Sequence, residues 1–210
     1  MNGYKPLFSS FLLCLAAMPV LHAQSYAEEI TAYRKKQLEE ITASPESPLR
    51  PEDAAAISFF DADAKYLARA RVEFLKGEKP LRMPTYAGTE KEFIRYARLH
   101  FEIDGVESTL TAYKNLAIPG ALAGLHNTLF IPFKDKTNGN LTYGGGRYLD
   151  LVIPAGTGEV SLDFNKAYNP YCAYSDGYQC PVPPRENHLS AALPAGEKKY
   201  TGTIGKRKIK

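Results

Sequence analysis

The chain has 210 residues, 44% of them hydrophobic, a formal net charge of +3 and a pI near 8.6. That length and apolar content suit one domain with a real core and exclude a disordered or low-complexity chain. The charge is uneven: Lys198, Lys199, Lys206, Arg207, Lys208 and Lys210 crowd an acid-free terminus behind a net acidic body, so the basic pI belongs to the tail and excludes a nucleic-acid partner as the default reading.

Residues 1–23 read as a signal peptide. Lys5 is the only charge, an apolar run follows from Leu7 to Met18, Pro19 interrupts it, and Leu21-His22-Ala23 precedes a cut before Gln24. The run is short for a bilayer crossing, which takes ~20 apolar residues, so no membrane span is expected after cleavage, with an uncleaved anchor as the alternative. The expected location is periplasmic or secreted. The chain then divides into a signal peptide (1–23), an N-terminal helix and connector (24–46), a single β-rich domain (47–200) and a solvated basic C-terminal tail (201–210). Export leaves Cys172 and Cys180, an even count that favours a disulfide worth ~2–3 kcal/mol. Zinc is the competing reading and has His188 as its nearby further candidate.

In chain order, Ser25 and Glu28 form a capping box ahead of Tyr26, Ile30, Tyr33 and Ile41 at helical spacing, which predicts an amphipathic helix over about 26–42 packing its aromatic stripe on the domain. Ser44-Pro45 ends it, and Pro51 opens a short turn through Ala56. Tyr66, Ala68, Ala70, Val72 and Phe74 alternate with polar neighbours as in a half-buried strand, and Leu81 to Tyr86 reads as an edge piece carrying Pro84. A hairpin follows. Phe93, Ala97, Leu99, Phe101 and Ile103 are placed on one face, Asp104-Gly105 is a preferred two-residue turn, and Ile103 pairs with Val106. His100, on the opposite face, reads as an exposed or hydrogen-bonded residue. Asn115 to Asn127 is a loop or a cover over a site, Thr128 to Phe133 a strand, and Asp135 to Asn140 a turn lacking the glutamate a calcium loop requires.

The densest information lies between Leu141 and Asn187. Gly144-Gly145-Gly146-Arg147 could offer amides and a guanidinium to an anion, or serve as a bulge that admits close backbone packing. Arg147 to Ile153 and Val160 to Asn165 read as a hairpin with Leu151 opposite Leu162 and Leu149 opposite Phe164, which sets Asp150 opposite Asp163. Two facing acids need compensation by a salt-bridge network, by a ligand or ion, or by a shared proton in acid/base chemistry. The irregular stretch from Lys166 to Asn187 reads as a functional or pinned loop organised by Asn165 and Asn169, with Leu189 to Leu193 and Lys198 to Ile204 supplying the last strands.

Several of these motifs together resemble a known family. Ser47-Pro48-Leu49, Leu129 to Phe133 with Asp135, Thr142 to Tyr148, Leu162-Asp163-Phe164-Asn165, Ala167 to Pro170, Cys172-Ala173-Tyr174, Cys180-Pro181 and Asn187 are similar to the bacterial and archaeal domain of unknown function numbered sixteen eighty-four. The resemblance covers nearly all of the chain after residue 23 except the tail beyond Tyr200 and implies no activity or ligand. It also implies a similar cysteine pair in members without an export signal, which favours a shared structural or metal role over a purely extracellular disulfide.

The expected fold is α+β and mainly β, an N-terminal amphipathic helix packed on an antiparallel sheet or partly closed β-barrel. The leading function is a binding module for a small polar or anionic ligand contacted by Gly144, Gly145, Gly146, Arg147, Tyr148, Asp150, Asp163, Asn165 and Asn169. A hydrolase-type enzyme using Asp150 and Asp163 is the alternative, and a structural envelope protein without a small-molecule site is the third reading. No metal is assigned, and cofactor and oligomeric state are left open.

Overall fold

The computed structural model describes residues 17–117, 128–153 and 156–206, with side chains from Gln24 onward. Most of the expected export signal, residues 118–127 of the expected 115–127 loop, Pro154 and Ala155 of the expected hairpin turn, and the last four residues lie outside these. Helix α1 (Ala17–Ala43) begins earlier than the capping box suggested and runs through the expected cleavage position. Its inward face follows Ile30, Arg34, Leu38 and Ile41, whereas Tyr33 remains 36% exposed. Arg34 donates to the Phe60 and Asn165 carbonyls, at 2.8 and 3.1 Å, and lies over the Phe59 ring. Leu38 and Ile41 pack with Leu49, Ile57 and Tyr174, so the helix closes one side of the sheet.

The strands are β1 (Leu67–Phe74), β2 (Leu81–Pro84), β3 (Glu90–Ile103), β4 (Val106–Asn115), β5 (Thr128–Phe133), β6 (Arg147–Val152) and β7 (Glu159–Asp163). They form a curled antiparallel half-barrel in the order β6-β5-β4-β3-β1-β7, with β2 beside β3. Ala68, Ala70 and Val72 point inward as their alternation predicts. The β3–β4 hairpin has the expected register, Ile103 against Val106, and both Asp104 (φ 50°) and Gly105 (φ 73°) adopt the left-handed conformation its turn demands.

Two strand assignments need correction. First, β6 and β7 are not partners: β6 pairs with β5, Leu149 against Ile131 and Leu151 against Leu129, while β7 pairs with β1, Leu162 against Ala68. Alternation dictates which face of a strand is dry but not which strand lies beside it, and the curl lets both ends of the sheet feed one core containing Leu149, Leu162 and Phe164. Asp150 and Asp163 therefore do not face each other across a ladder. Second, Phe93 does not share the face of Ala97. Arg95 pairs with Tyr113 but Ala97 with Ala112, so Tyr96 is an extra residue and the strand turns over at this bulge.

The bulge gives the sheet two dry regions. Ala97, Leu99, Leu110, Ala112, Ile131 and Phe133 belong to the inner core, while Met83, Phe93 and Tyr113, with Phe130 against them, form a cluster on the outer face. Beyond β7 the chain makes short turns instead of the expected last strands, and it ends by running back along the body. Gly205–Lys206 (β9) pairs with Ser175–Asp176 (β8), and Thr201 Oγ1 donates to the Ala56 carbonyl at 3.2 Å, so the tail through Lys206 is docked rather than solvated throughout.

Candidate functional site

The outer face of the sheet is the floor of a cleft of about 910 Å³. Lys91, Phe93, Asn115, Thr128, Phe130, Tyr148 and Asp150 reach it from β3, β4, β5 and β6, one side of each strand by their cross-strand pairing. Helix α1 supplies Tyr33, Gln37, Glu40 and Ile41 as one wall, and residues 168–171 and 178–181 supply the other. The Cys172–Cys180 pair, at disulfide distance with Cα atoms 6.2 Å apart, ties the two ends of that second wall together. Aromatic rings run along the floor: Phe93 stacks on Phe130 at 5.5 Å, Phe130 meets Tyr148 edge-on at 4.7 Å, and Tyr148 meets Tyr168 at 5.9 Å. Tyr171 and Tyr178 form a further edge-on pair at 5.2 Å on the rim.

Asp150 is the floor's carboxylate. It opens to the cleft on one side, and its Oδ2 accepts the Tyr168 hydroxyl at 2.8 Å. Enclosure by the walls pushes its pKa above the ordinary carboxylate value, and the Tyr168 hydrogen bond opposes that rise. Burial likewise raises the Tyr33 hydroxyl, with Asp150's charge adding to it, and burial lowers the Lys91 ammonium.

Of the nine expected ligand contacts, Tyr148, Asp150 and Asn169 line this cleft. Tyr148 contributes its ring, and its hydroxyl is spent on the Pro181 carbonyl at 2.5 Å. Asn169 is 1% exposed; its backbone N–H and its Nδ2 donate to the Glu197 carboxylate at 3.0 and 2.6 Å, to which Tyr174 also donates at 2.6 Å. Burial raises the pKa of Glu197 against these three hydrogen bonds.

The other six lie elsewhere. Arg147, the expected anion anchor, is 0% exposed and is bound to the protein itself. Its Nη2 donates to Asp135 Oδ2 and to the Leu193 carbonyl, both at 2.8 Å, its Nη1 to the Ala195 carbonyl, and its guanidinium lies 5.4 Å from the Phe133 ring centre. Burial lowers its pKa and Asp135 holds it up. The glycines ahead of it serve packing. At Gly146 φ is +96°, and a β-carbon there would lie 2.6 Å from the Phe133 carbonyl and 2.8 Å from Pro183, while one on Gly145 would enter the Tyr143 ring. Gly145 also gives its carbonyl to the Tyr86 hydroxyl at 2.5 Å.

Asp163 and Asn165 join the sheet end to the helix. Asp163 Oδ1 accepts from the Tyr26 hydroxyl at 2.9 Å and the Asn165 amide N–H at 3.0 Å, and Asn165 Nδ2 donates to Tyr26 Oη and the Asp63 carbonyl at 2.8 and 2.9 Å. With β6 and β7 paired to different strands, the cross-strand facing that suggested a proton shared between Asp150 and Asp163 is absent. His188, the proposed zinc partner, donates to the Pro183 carbonyl at 3.0 Å, and the described residues contain no cluster of three metal-ligating side chains. His100 is held between Glu73 and Thr109 at 2.8 and 3.1 Å.

Among the cleft residues missed from the sequence are Tyr33, Glu40, Lys91, Phe93, Phe130, Tyr168 and Tyr171. For Lys91 and Phe93 the signal was present in the β3 pattern, where Arg95 falls between two apolar residues of the same parity, Phe93 and Ala97.

A family profile described as "Protein of unknown function (DUF1684)" matches residues 53–198. Among solved structures the chain is similar to the solution NMR structure of an uncharacterized protein from gene locus rrnAC0354 of Haloarcula marismortui. Identity is 34%, the match covers 83% of this chain and 95% of that one, and the TM-score is 0.65. No curated protein matches.

Proposed function

The chain belongs to the DUF1684 family of proteins of unknown function, and from that starting point we propose that it is an exported binding module whose aromatic cleft takes a small polar ligand. One observation carries the reading: a carboxylate, Asp150, stands on an aromatic floor inside a cleft of about 910 Å³. Small-molecule sites run to roughly 300–1,000 Å³, and this one sets polar groups such as Asp150, Lys91 and Asn115 among the rings of its floor. The anionic half of the expected ligand class loses its support, because the guanidinium of Arg147 is consumed internally. Export draws support from the apolar leader and from the cysteine pair, which an oxidising compartment would keep closed. Among the described residues no helix is long and apolar enough to cross a membrane.

Native mass spectrometry of the protein recovered from its own cells tests the reading. The expected result is a chain starting at Gln24 that carries a small molecule, and whose ligand shifts the amide resonances of Phe130, Tyr148 and Asp150 in a titration. A ligand that shifts residues only outside the cleft would refute the assignment of the site. An intact mass retaining residues 1–23 in the exported fraction would refute the cleavage.

A further inference from the structure

Asp150 differs from the buried carboxylates among the described residues, for it is exposed to the cleft. Asp135 is paired with Arg147, Asp163 lies 3.7 Å from Lys166 and accepts three hydrogen bonds, and Glu197 accepts three donors. Asp150 has a single neutral partner, the Tyr168 hydroxyl, and no cationic side chain among the described residues is paired with it. Lys91 lines the same cleft without pairing to it. A carboxylate that stands open in a cleft with no counter-charge is available to a cationic group of a ligand.

What surrounds the carboxylate narrows that something. Phe130 is its cross-strand partner and shares its face, and Tyr148 stands two residues along the same face of β6 with its ring 4.7 Å from that of Phe130. Tyr168, which holds the carboxylate, meets Tyr148 edge-on. Ring faces carry negative quadrupole charge, so they repel an anion and attract a soft organic cation. Glu40 on the helix wall adds a second acidic group to the lining. A hard metal ion would want several oxygen ligands in place of rings, and no such cluster occurs among the described residues.

We infer that the cleft recognises an organic ammonium group, with Asp150 as its counter-ion and the Phe130, Tyr148 and Tyr168 rings as its aromatic flank. This rests on the ligand-binding reading above and names the ligand's chemistry. The cleft exceeds the size of a choline-like ion, so the ammonium is one end of a larger polar molecule. The Tyr168 hydroxyl positions the carboxylate, and the carboxylate carries the charge recognition.

Isothermal titration of the full chain with choline, with its neutral isostere 3,3-dimethylbutan-1-ol, with ethanolamine and with glucose tests it, backed by amide-shift mapping. Choline is expected to bind at least about tenfold more tightly than the isostere, a preference that weakens with salt. Asp150→Asn can still accept the Tyr168 hydroxyl and is expected to erase most of that preference without loss of folding. Ethanolamine binding as well as choline assigns a general ammonium site, and choline alone assigns a quaternary one. If the isostere or glucose binds in the cleft as well as choline does, the ammonium assignment falls and the cleft remains a ligand site. If Asp150→Asn leaves choline binding unchanged, the counter-ion assignment falls. If none of the four shifts a cleft residue, the ammonium inference is overturned, while the binding-module reading stands or falls by the co-purified ligand.

Discussion

Replacing Asp135 by Asn removes one charge from a pair in which neither side chain reaches solvent. Its carboxylate accepts from Arg147 Nη2 at 2.8 Å, from the Thr137 N–H at 2.8 Å, from Thr137 Oγ1 at 2.5 Å and from the Leu193 N–H at 3.3 Å. An amide turns half of that acceptor surface into a donor and leaves the guanidinium charged and buried, faced by carbonyl dipoles, the Phe133 ring and the charge of Glu197. Breaking a buried pair of this kind costs about 3–5 kcal/mol. With a urea m-value of about 2 kcal/mol per molar for a domain this size, the midpoint should fall by roughly 1.5–2.5 M at unchanged m. Circular dichroism during equilibrium urea unfolding reads this directly. Replacing both partners, Asp135→Leu with Arg147→Met, should cost less than Asp135→Asn alone, because no unpaired charge remains. A loss below about 1 kcal/mol in Asp135→Asn would show that the carbonyls of Leu193, Ala195 and Glu197 suffice for Arg147 and that the pair does not hold the loop to the strand.

The pKa of Asp150 is raised in the folded chain, so the native state holds its proton more tightly than the unfolded state does, and stability is lost as pH rises from the ordinary carboxylate range through the folded value. Asp150→Asn should therefore match the parent near pH 3 and exceed it at pH 7. The gain is on the order of 0.5 kcal/mol after screening by cleft water, measured as the pH dependence of the thermal midpoint. A larger benefit at pH 3 than at pH 7 would contradict the reasoning. Gly146→Ala should destabilise by about 2 kcal/mol or more, since it adds left-handed strain to a collision with the Phe133 carbonyl, and an unchanged urea midpoint would refute that packing. Reducing the Cys172–Cys180 link should lower the thermal midpoint by roughly 5–10 °C, from about 2–3 kcal/mol of loop constraint, with the Cys172→Ser, Cys180→Ser double variant insensitive to reductant.

Features that depend on near neighbours could be read from the sequence. The Asp104-Gly105 turn and its register follow from local backbone preference, the edge position of β2 follows from Pro84, and the turn opening at Pro51 follows from its ring. Features that depend on distant chain were not legible. Leu149 and Leu162 carry the same alternation whether they pair with each other or with β5 and β1, and only the curl of the sheet decides. The Gly144 to Arg147 run has the same residues whether its guanidinium faces a ligand or an internal aspartate, and the deciding partner, Asp135, lies in a stretch whose own neighbours mark it as a turn. On the helix, Tyr33 and Arg34 compete for the inward position. Arg34 takes it because the Phe60 and Asn165 carbonyls offer it acceptors there, which releases Tyr33 to the cleft.

The bulge at Tyr96 explains why a sheet with one ordinary core also has an aromatic cleft. In an unbroken β3, Lys91, Phe93 and Arg95 would share the side of Ala97 and Leu99, driving two cations into the inner core. One added residue reverses the parity, so the charged half of the strand faces outward while Phe93 goes with it and needs cover. Phe130, Met83 and Tyr113 provide part of that cover, and helix α1 with the cysteine-tied loop stand over the rest. The space between is left because a helix and a loop cannot follow a bulged, twisted surface as closely as another sheet could. The residue that spares the core two buried charges is thus the same one that turns Phe93 toward the cleft beside Phe130.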